Sequence, residues 1–98
     1  MSSEILSKKA KKIKLVATDI DGVWTDAKMY YTDGGDYIKS FSTYDGMATQ
    51  LLKNENIEIA ILTSENSEIV NARAKKLEIK YVYINEKEKL LRIQYLCN

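Results

Sequence analysis

Two carboxylates, Asp19 and Asp21, stand two residues apart in Asp19-Ile20-Asp21-Gly22-Val23-Trp24-Thr25-Asp26, directly after the apolar run Ile13-Lys14-Leu15-Val16-Ala17-Thr18. On an extended backbone, residues i and i+2 project to the same side. Both acids are therefore expected at the carboxyl end of a buried strand, which is where open α/β sheets bind ligands. Gly22 lets the chain turn away sharply. The arrangement suits a magnesium site in which one carboxylate is a nucleophile and the other a proton donor, and so points to phosphoryl transfer. On these residues alone, a turn that follows a strand and is rich in Asp and Gly for conformational reasons is the competing reading.

Composition narrows the chemistry. There is no histidine among the 98 residues, and the single cysteine is Cys97. That excludes Ser-His and Cys-His triads and any disulfide framework, and leaves too few ligands for an ordinary zinc site. Catalysis must run on carboxylates, lysines, hydroxyls and a hard metal. Fifteen basic and fourteen acidic residues give a net charge of +1, with no global drive towards nucleic acid or membrane. No apolar run approaches the ~20 residues that a membrane span needs. The hydrophobic fraction of 45% is that of an ordinary globular domain, expected in a reducing cytoplasm.

The elements that must position these groups follow from periodicity. Residues 1–12, with Lys8, Lys9, Lys11 and Lys12, form a polar leader or short helix ahead of the domain at 13–98. A buried strand is expected over 13–19. Asp33-Gly34-Gly35-Asp36, between runs holding Tyr30, Tyr31, Tyr37 and Phe41, signals a β-hairpin within 28–41. Its aromatics need a surface, either the domain itself or another subunit. A helix over 46–54, capped by Thr43 or Asp45, is expected to turn Met47, Leu51 and Leu52 inwards. A core strand follows over 57–62. A helix over 66–77 then faces the core with Ile69, Val70, Ala74 and Leu77. A third strand is read over 80–84 and a last helix from near Glu86, carrying Leu90, Leu91, Ile93 and Leu96. This alternation makes the fold class α/β: a Rossmann-like parallel sheet with flanking helices and a β-hairpin inserted after the first strand.

Three strand ends then converge on one edge. The first offers Asp19 and Asp21, the second Thr63, and the third is followed by Lys87 and Lys89. A hydroxyl beside a helix N-terminus suits a phosphate oxygen. A lysine near two carboxylates offsets their repulsion and attracts the phosphate. Each element alone has a bland reading, an N-cap or a solvated charge. The three in this order are more specific.

At this point the chain resembles the haloacid dehalogenase-type phosphatases, and most closely the capless branch of 3-deoxy-manno-octulosonate 8-phosphate and nonulosonate 9-phosphate phosphatases. Residues 14–26 match the first family motif, Ile61-Leu62-Thr63 resembles the second, and Lys89 falls where the third has its lysine. The resemblance runs from about residue 12 to the end. It implies that Asp19 attacks phosphorus to form an aspartyl-phosphate. Asp21 would protonate the leaving sugar oxygen and then activate water. Thr63 and Lys89 would hold the phosphoryl group, and Asp19 with the Asp21 carbonyl would hold Mg²⁺. It further implies Glu65, Arg73 and Lys76 as contacts to a keto-sugar phosphate, a solvated helix face being the alternative for Arg73 and Lys76. The hairpin 28–41 stands where the branch builds a homotetramer.

The pattern also departs from the family. Ala27 and Ser64 occupy positions where the branch often has Gly. The family's fourth motif, an acidic pair completing the metal site, has no counterpart up to Asn98. In the family's sheet order the strand that carries it lies beside the first, so the resemblance implies that strand 13–19 is left as an exposed apolar edge. The expectation is thus a partial phosphatase domain, a truncated haloacid dehalogenase core with an impaired metal site. Two other readings stay in view. One is a non-catalytic assembly domain like that attached to acylneuraminate cytidylyltransferases, which the presence of both carboxylates disfavours. The other is a response-regulator receiver, which the position of Asp-x-Asp on the first strand disfavours.

Overall fold

The computed structural model describes residues 3–98, of which 36 and 37 by backbone alone. The chain folds as α1 (Ser3–Ala10), β1 (Leu15–Thr18), β2 (Tyr30–Thr32), β3 (Gly35–Ile38), α2 (Thr43–Asn54), β4 (Glu58–Leu62), α3 (Glu68–Lys76), β5 (Tyr81–Tyr83) and α4 (Lys89–Cys97). A parallel sheet runs in the order β1-β4-β5, and β2-β3 form a separate antiparallel hairpin. The α/β class and the hairpin after the first strand are as the sequence pattern implied.

β4 is the central strand because its apolar run is pure: Ile59, Ala60, Ile61 and Leu62 are all buried. Ile59 and Ile61 join Ile20, Val70, Ala74 and Ile79 in the core, with Trp24, Phe41, Leu52, Leu77, Val82 and Ile84 packed around it. β1 is the edge strand that the resemblance implied, not the buried strand that its apolar run alone suggested. It pairs only with β4 among the described residues, and its side chains are half-buried or exposed, with Ile13 exposed before it. An edge strand leaves one flank in solvent, so an apolar run does not guarantee burial.

α2 begins earlier than the sequence reading placed it. Ser42 is the N-cap, and its Oγ accepts from the Tyr44 N–H at 3.1 Å. The inward face of α2 is set by Gly46, Thr49 and Leu52, three residues apart on one side of the helix. Thr49 and Leu52 turn inwards, while Met47 and Leu51 are exposed, contrary to expectation. Gly46 then lies inside the helix at a close approach. A Cβ there would stand 3.1 Å from Leu77 Cδ2 and 3.2 Å from Arg73 Nη2, so the glycine lets α3 pack against α2. Asn56 (φ 59°) and Glu78 (φ 57°) close α2 and α3 in the left-handed region, freeing Ile57 and Ile79 to bond back to Leu52 and Ala74. α4 starts at Lys89 rather than near Glu86, because residues 85 and 86 are bonded across to the β4 loop.

The hairpin exposes Tyr30, Tyr31 and Ile38, while Phe41 packs on the core. The side chain of Tyr37 lies outside the described residues. No helix among those residues is long and apolar enough to cross a membrane.

Candidate active site

Parallel register brings the site together. Thr18 stands opposite Ile61, and Leu62 opposite Tyr83, so Asp19, Thr63 and the β5–α4 loop leave the sheet at one edge. Cross-bonds fix the second and third of these segments to each other. The Thr63 N–H donates to Tyr83 O, the Glu86 N–H to Thr63 O, and the Asn85 N–H to Glu65 O, each at 2.9–3.0 Å. Asn85 adopts φ 53°, which turns its chain back over the β4 loop. Lys87 Nζ adds a bond to Ser64 O at 2.7 Å.

The first loop is built on Ile20, whose carbonyl accepts from the N–H groups of Val23, Trp24 and Thr25. Trp24 Nε1 donates to Thr18 Oγ1 at 2.9 Å, fastening the loop to the strand. Gly22 has φ +82°, a conformation that L side chains rarely adopt. Ala27 has φ 69°, which explains why glycine suits this position. A left-handed alanine costs about 1 kcal/mol, against a similar entropic cost for glycine in the unfolded chain. Ala27→Gly is therefore expected to change stability by less than about 1 kcal/mol, with thermal melting as the check. A loss well beyond that would show that the Ala27 methyl, 3.6 Å from where a Cβ at Gly22 would lie, does structural work that this account omits.

A cleft of about 180 Å³ is lined by Asp19, Asp21, Met29, Thr63, Ser64, Glu65 and Lys89. Asp19 Oδ1 accepts from the Ile20 N–H at 2.7 Å, and Lys89 Nζ lies 3.2 Å from Asp19 Oδ2. Asp21 Oδ1 is 2.8 Å from Lys39 Nζ. Thr63 is 1% exposed, and its Oγ1 accepts from the Glu65 N–H at 3.4 Å. Of the sequence-predicted residues, the cleft thus gathers Asp19, Asp21, Thr63, Glu65 and Lys89. It does not gather Arg73 or Lys76. Arg73 Nη2 donates to Ser42 O at 3.2 Å and its guanidinium stacks 5.5 Å from the Phe41 ring, while Lys76 is exposed at the end of α3. Lys39 and Met29 were not singled out from the sequence, and Ser64 only as a departure from the family pattern. Lys39 is 18 residues from its partner and lies in an aromatic run, so no short spacing marks it.

A larger concavity of about 490 Å³ opens at the opposite end of the sheet, lined by Lys12, Ile13, Lys14, Leu15, Glu58, Tyr81, Leu96 and Cys97. It has one carboxylate and no paired acids, unlike the smaller cleft, which holds Asp19 and Asp21 together.

α4 is anchored by Arg92. Its Nε donates to Glu86 Oε2 at 2.8 Å, and its guanidinium lies 4.3 Å from the Tyr83 ring and 5.4 Å from that of Tyr95. The Arg92 hydrogen bond outweighs desolvation and, helped by the Glu88 N–H, holds the Glu86 carboxyl below its ordinary 4.5. A depressed folded-state value means stability that is present above the unfolded pKa and lost as pH falls through the folded one. Glu86→Gln is expected to melt below the wild type at pH 7, with the gap closing below pH 4.5. A gap that persists in acid contradicts the ionic origin.

The comparisons with known proteins are consistent with this geometry. No protein-family model matches the chain. The 3-deoxy-D-manno-octulosonate 8-phosphate phosphatase of Haemophilus influenzae is 37% identical over 84 residues, 86% of this chain and 47% of that protein. The Escherichia coli K12 enzyme of the same name is 31% identical over 91 residues, 93% of this chain and 48% of its own. Among solved structures, the Moraxella catarrhalis 3-deoxy-D-manno-octulosonate 8-phosphate phosphatase, in complex with magnesium ion, phosphate ion and KDO, superposes with a TM-score of 0.87 at 36% identity. That match covers 97% of this chain and 55% of the other. These matches liken the chain to hydrolases of the haloacid dehalogenase type. The likeness is to 3-deoxy-D-manno-octulosonate 8-phosphate phosphatases, and the chain spans about half the length of the relatives it matches. A cobalt-bound form of the Haemophilus influenzae phosphatase matches with a TM-score of 0.79 at 38% identity, over 83% of this chain and 47% of that one.

Proposed function

We propose that this haloacid dehalogenase-like chain serves a divalent-metal-dependent phosphatase acting on a keto-sugar phosphate of the octulosonate 8-phosphate or nonulosonate 9-phosphate type. The observation that carries the reading is the convergence of Asp19, Asp21, Thr63 and Lys89 on one cleft at the carboxyl edge of the sheet. Asp19 Oδ attacks phosphorus, and the bond from phosphorus to the sugar oxygen breaks. Asp21 gives that oxygen its proton and later removes one from the water that attacks the aspartyl-phosphate, releasing phosphate and restoring Asp19. Lys89, with its Nζ beside Asp19 Oδ2, offsets the charge of nucleophile and phosphate. The Thr63 hydroxyl donates to a phosphoryl oxygen.

The donor set fits a hard cation. Asp19 and Asp21 supply oxygen ligands at one cleft, and magnesium commonly takes one or two carboxylates and fills its octahedron with water and substrate phosphate. The Asp19 carboxylate and the Asp21 carbonyl would hold it, and bound there it neutralises developing phosphoryl charge. Among the described residues no group of three or more acidic or soft ligands assembles. Affinity is therefore expected to depend on few protein ligands. Glu65 lines the cleft and is assigned to the sugar; Arg73 is assigned to a substrate carboxylate only where it leaves Ser42 and Phe41, and Lys76 only where it reaches the cleft from its exposed place on α3.

The exposed Tyr30, Tyr31 and Ile38 fit burial against further copies, and a homotetramer through the hairpin 28–41 in a reducing cytoplasm completes the reading. The assembly-only alternative has less support, because it gives both carboxylates no task. The test is magnesium-dependent phosphate release from keto-octulosonate 8-phosphate, a nonulosonate 9-phosphate and 4-nitrophenyl phosphate. Release that requires both metal and Asp19 supports the reading; metal-independent release, or release from Asp19→Asn, refutes it.

A further inference from the structure

Two lysines face the two carboxylates of the cleft, and their surroundings differ. Lys89 and Asp19 are 36% and 41% exposed along their side chains, and their charged atoms are 3.2 Å apart. Lys39 and Asp21 are 1% and 15% exposed and 2.8 Å apart. An incoming phosphate can reach Lys89. It cannot reach Lys39, whose ammonium is closed off from solvent. The effect of Lys39 on the reaction must pass through the groups it touches, and Asp21 is one of them.

Stability alone does not account for such a lysine. Lysine is almost never fully buried without a partner. Replacing a buried ion pair by apolar groups is often neutral or stabilising, so the pair is weak evidence for a stabilising role. Its value lies in fixing geometry. A carboxylate at a loop position has several accessible rotamers, and proton transfer in a transition state needs one of them. With Oδ1 held by Lys39, the Asp21 carboxylate keeps one orientation and Oδ2 is left to exchange the proton. Oδ2 accepts no hydrogen bond among the described residues. Lys39 is also the first residue after β3, the return strand of the hairpin. Seating of the hairpin and orientation of the acid are thus one event.

We propose that Lys39 is a positioning residue for Asp21, holding the acid/base carboxylate in its working rotamer from the base of the hairpin. This rests on the phosphatase reading above for its kinetic consequence, though not for its structural one.

The test uses Lys39→Met, which fills the slot without charge, and Lys39→Gln, which keeps an N–H donor. kcat and KM are measured on an alkyl ester, the keto-sugar phosphate, and on 4-nitrophenyl phosphate, whose leaving group needs little protonation. Lys39→Met is expected to lose at least ~10-fold more kcat on the alkyl ester than on the aryl ester, within the 10²–10⁴-fold worth of general acid catalysis, with KM little changed. Lys39→Gln is expected to recover part of that selective loss. A merely structural role lowers both substrates alike, and equal losses overturn the proposal. Crystal structures of the wild type and both variants give the second readout. Asp21 is expected to change or lose its rotamer in Lys39→Met; an unchanged rotamer overturns the proposal. If Lys39→Met does not fold, the same comparisons are made with Lys39→Gln. If the wild type releases no phosphate from any ester, the phosphatase reading fails and the Asp21 rotamer alone decides the role of Lys39.

Discussion

Asp19→Asn is expected to lower metal-dependent phosphate release by at least ~10³-fold, equivalent to about 4 kcal/mol of transition-state stabilisation. The amide is nearly isosteric, and its oxygen still accepts the Ile20 N–H bond that Asp19 Oδ1 receives. The fold should therefore survive. What is lost is the anionic oxygen that attacks phosphorus and the charge that faces Lys89 across 3.2 Å. The pair with Lys89 is more than one-third exposed at each partner, so its loss costs little stability. Assays at saturating magnesium separate the missing nucleophile from weakened metal binding. A residual rate within tenfold of wild type, in a variant that melts normally, would remove Asp19 from the chemistry.

The largest stability effect is expected from Ile61→Ala. Ile61 sits in the middle of β4, is 1% exposed, and pairs on one side with Thr18 and on the other with Val82. It lies in the cluster with Ile20, Ile59, Val70, Ala74 and Ile79. Truncation removes transfer free energy and leaves a cavity, for a loss of about 2–4 kcal/mol. In a domain of this size that lowers Tm by roughly 8–30 °C. Chemical denaturation should show a lower midpoint with an unchanged slope. The same change at Leu51, which is exposed on α2, should cost under about 1 kcal/mol. Similar losses at both positions would contradict the assignment of the core.

Much of the fold could be read in advance, and the failures have physical causes. β4 was legible because four consecutive apolar residues are buried on both sheet faces. The hairpin was legible because Asp33-Gly34 sits between its two strands. α2 was misplaced by three residues because Thr43, Asp45 and Ser42 all make credible caps, and only the Ser42 Oγ bond to Tyr44 decides among them. Met47 and Leu51 were misread separately, because the inward face runs through Gly46, Thr49 and Leu52 and holds a glycine and a threonine that hydrophobicity does not mark. The apolar run of β1 suggested burial, and only the family resemblance, with its fourth strand unmatched, placed that strand at an exposed edge.

The candidate site divides in the same way. Asp19 and Asp21 are two residues apart, Thr63 ends a plain apolar strand, and Lys89 opens a helix, so each is marked by local spacing. Lys39 becomes visible only when the hairpin folds back to within 2.8 Å of Asp21. The placement of Arg73 against Phe41 and Ser42 likewise depends on how α3 packs on α2 at Gly46. Contacts between elements distant in the chain carry no sequence period from which to read them.

The central claim is that the Asp19 carboxylate accepts the phosphoryl group. It is tested most directly by reducing the protein with borohydride during turnover and mapping the modified residue by peptide mass spectrometry. Borohydride converts an aspartyl-phosphate to homoserine, and the account predicts homoserine at position 19 only when phosphate ester and magnesium are both present. Phosphate release with no homoserine at 19, homoserine at another acidic residue, or no release at all would contradict it.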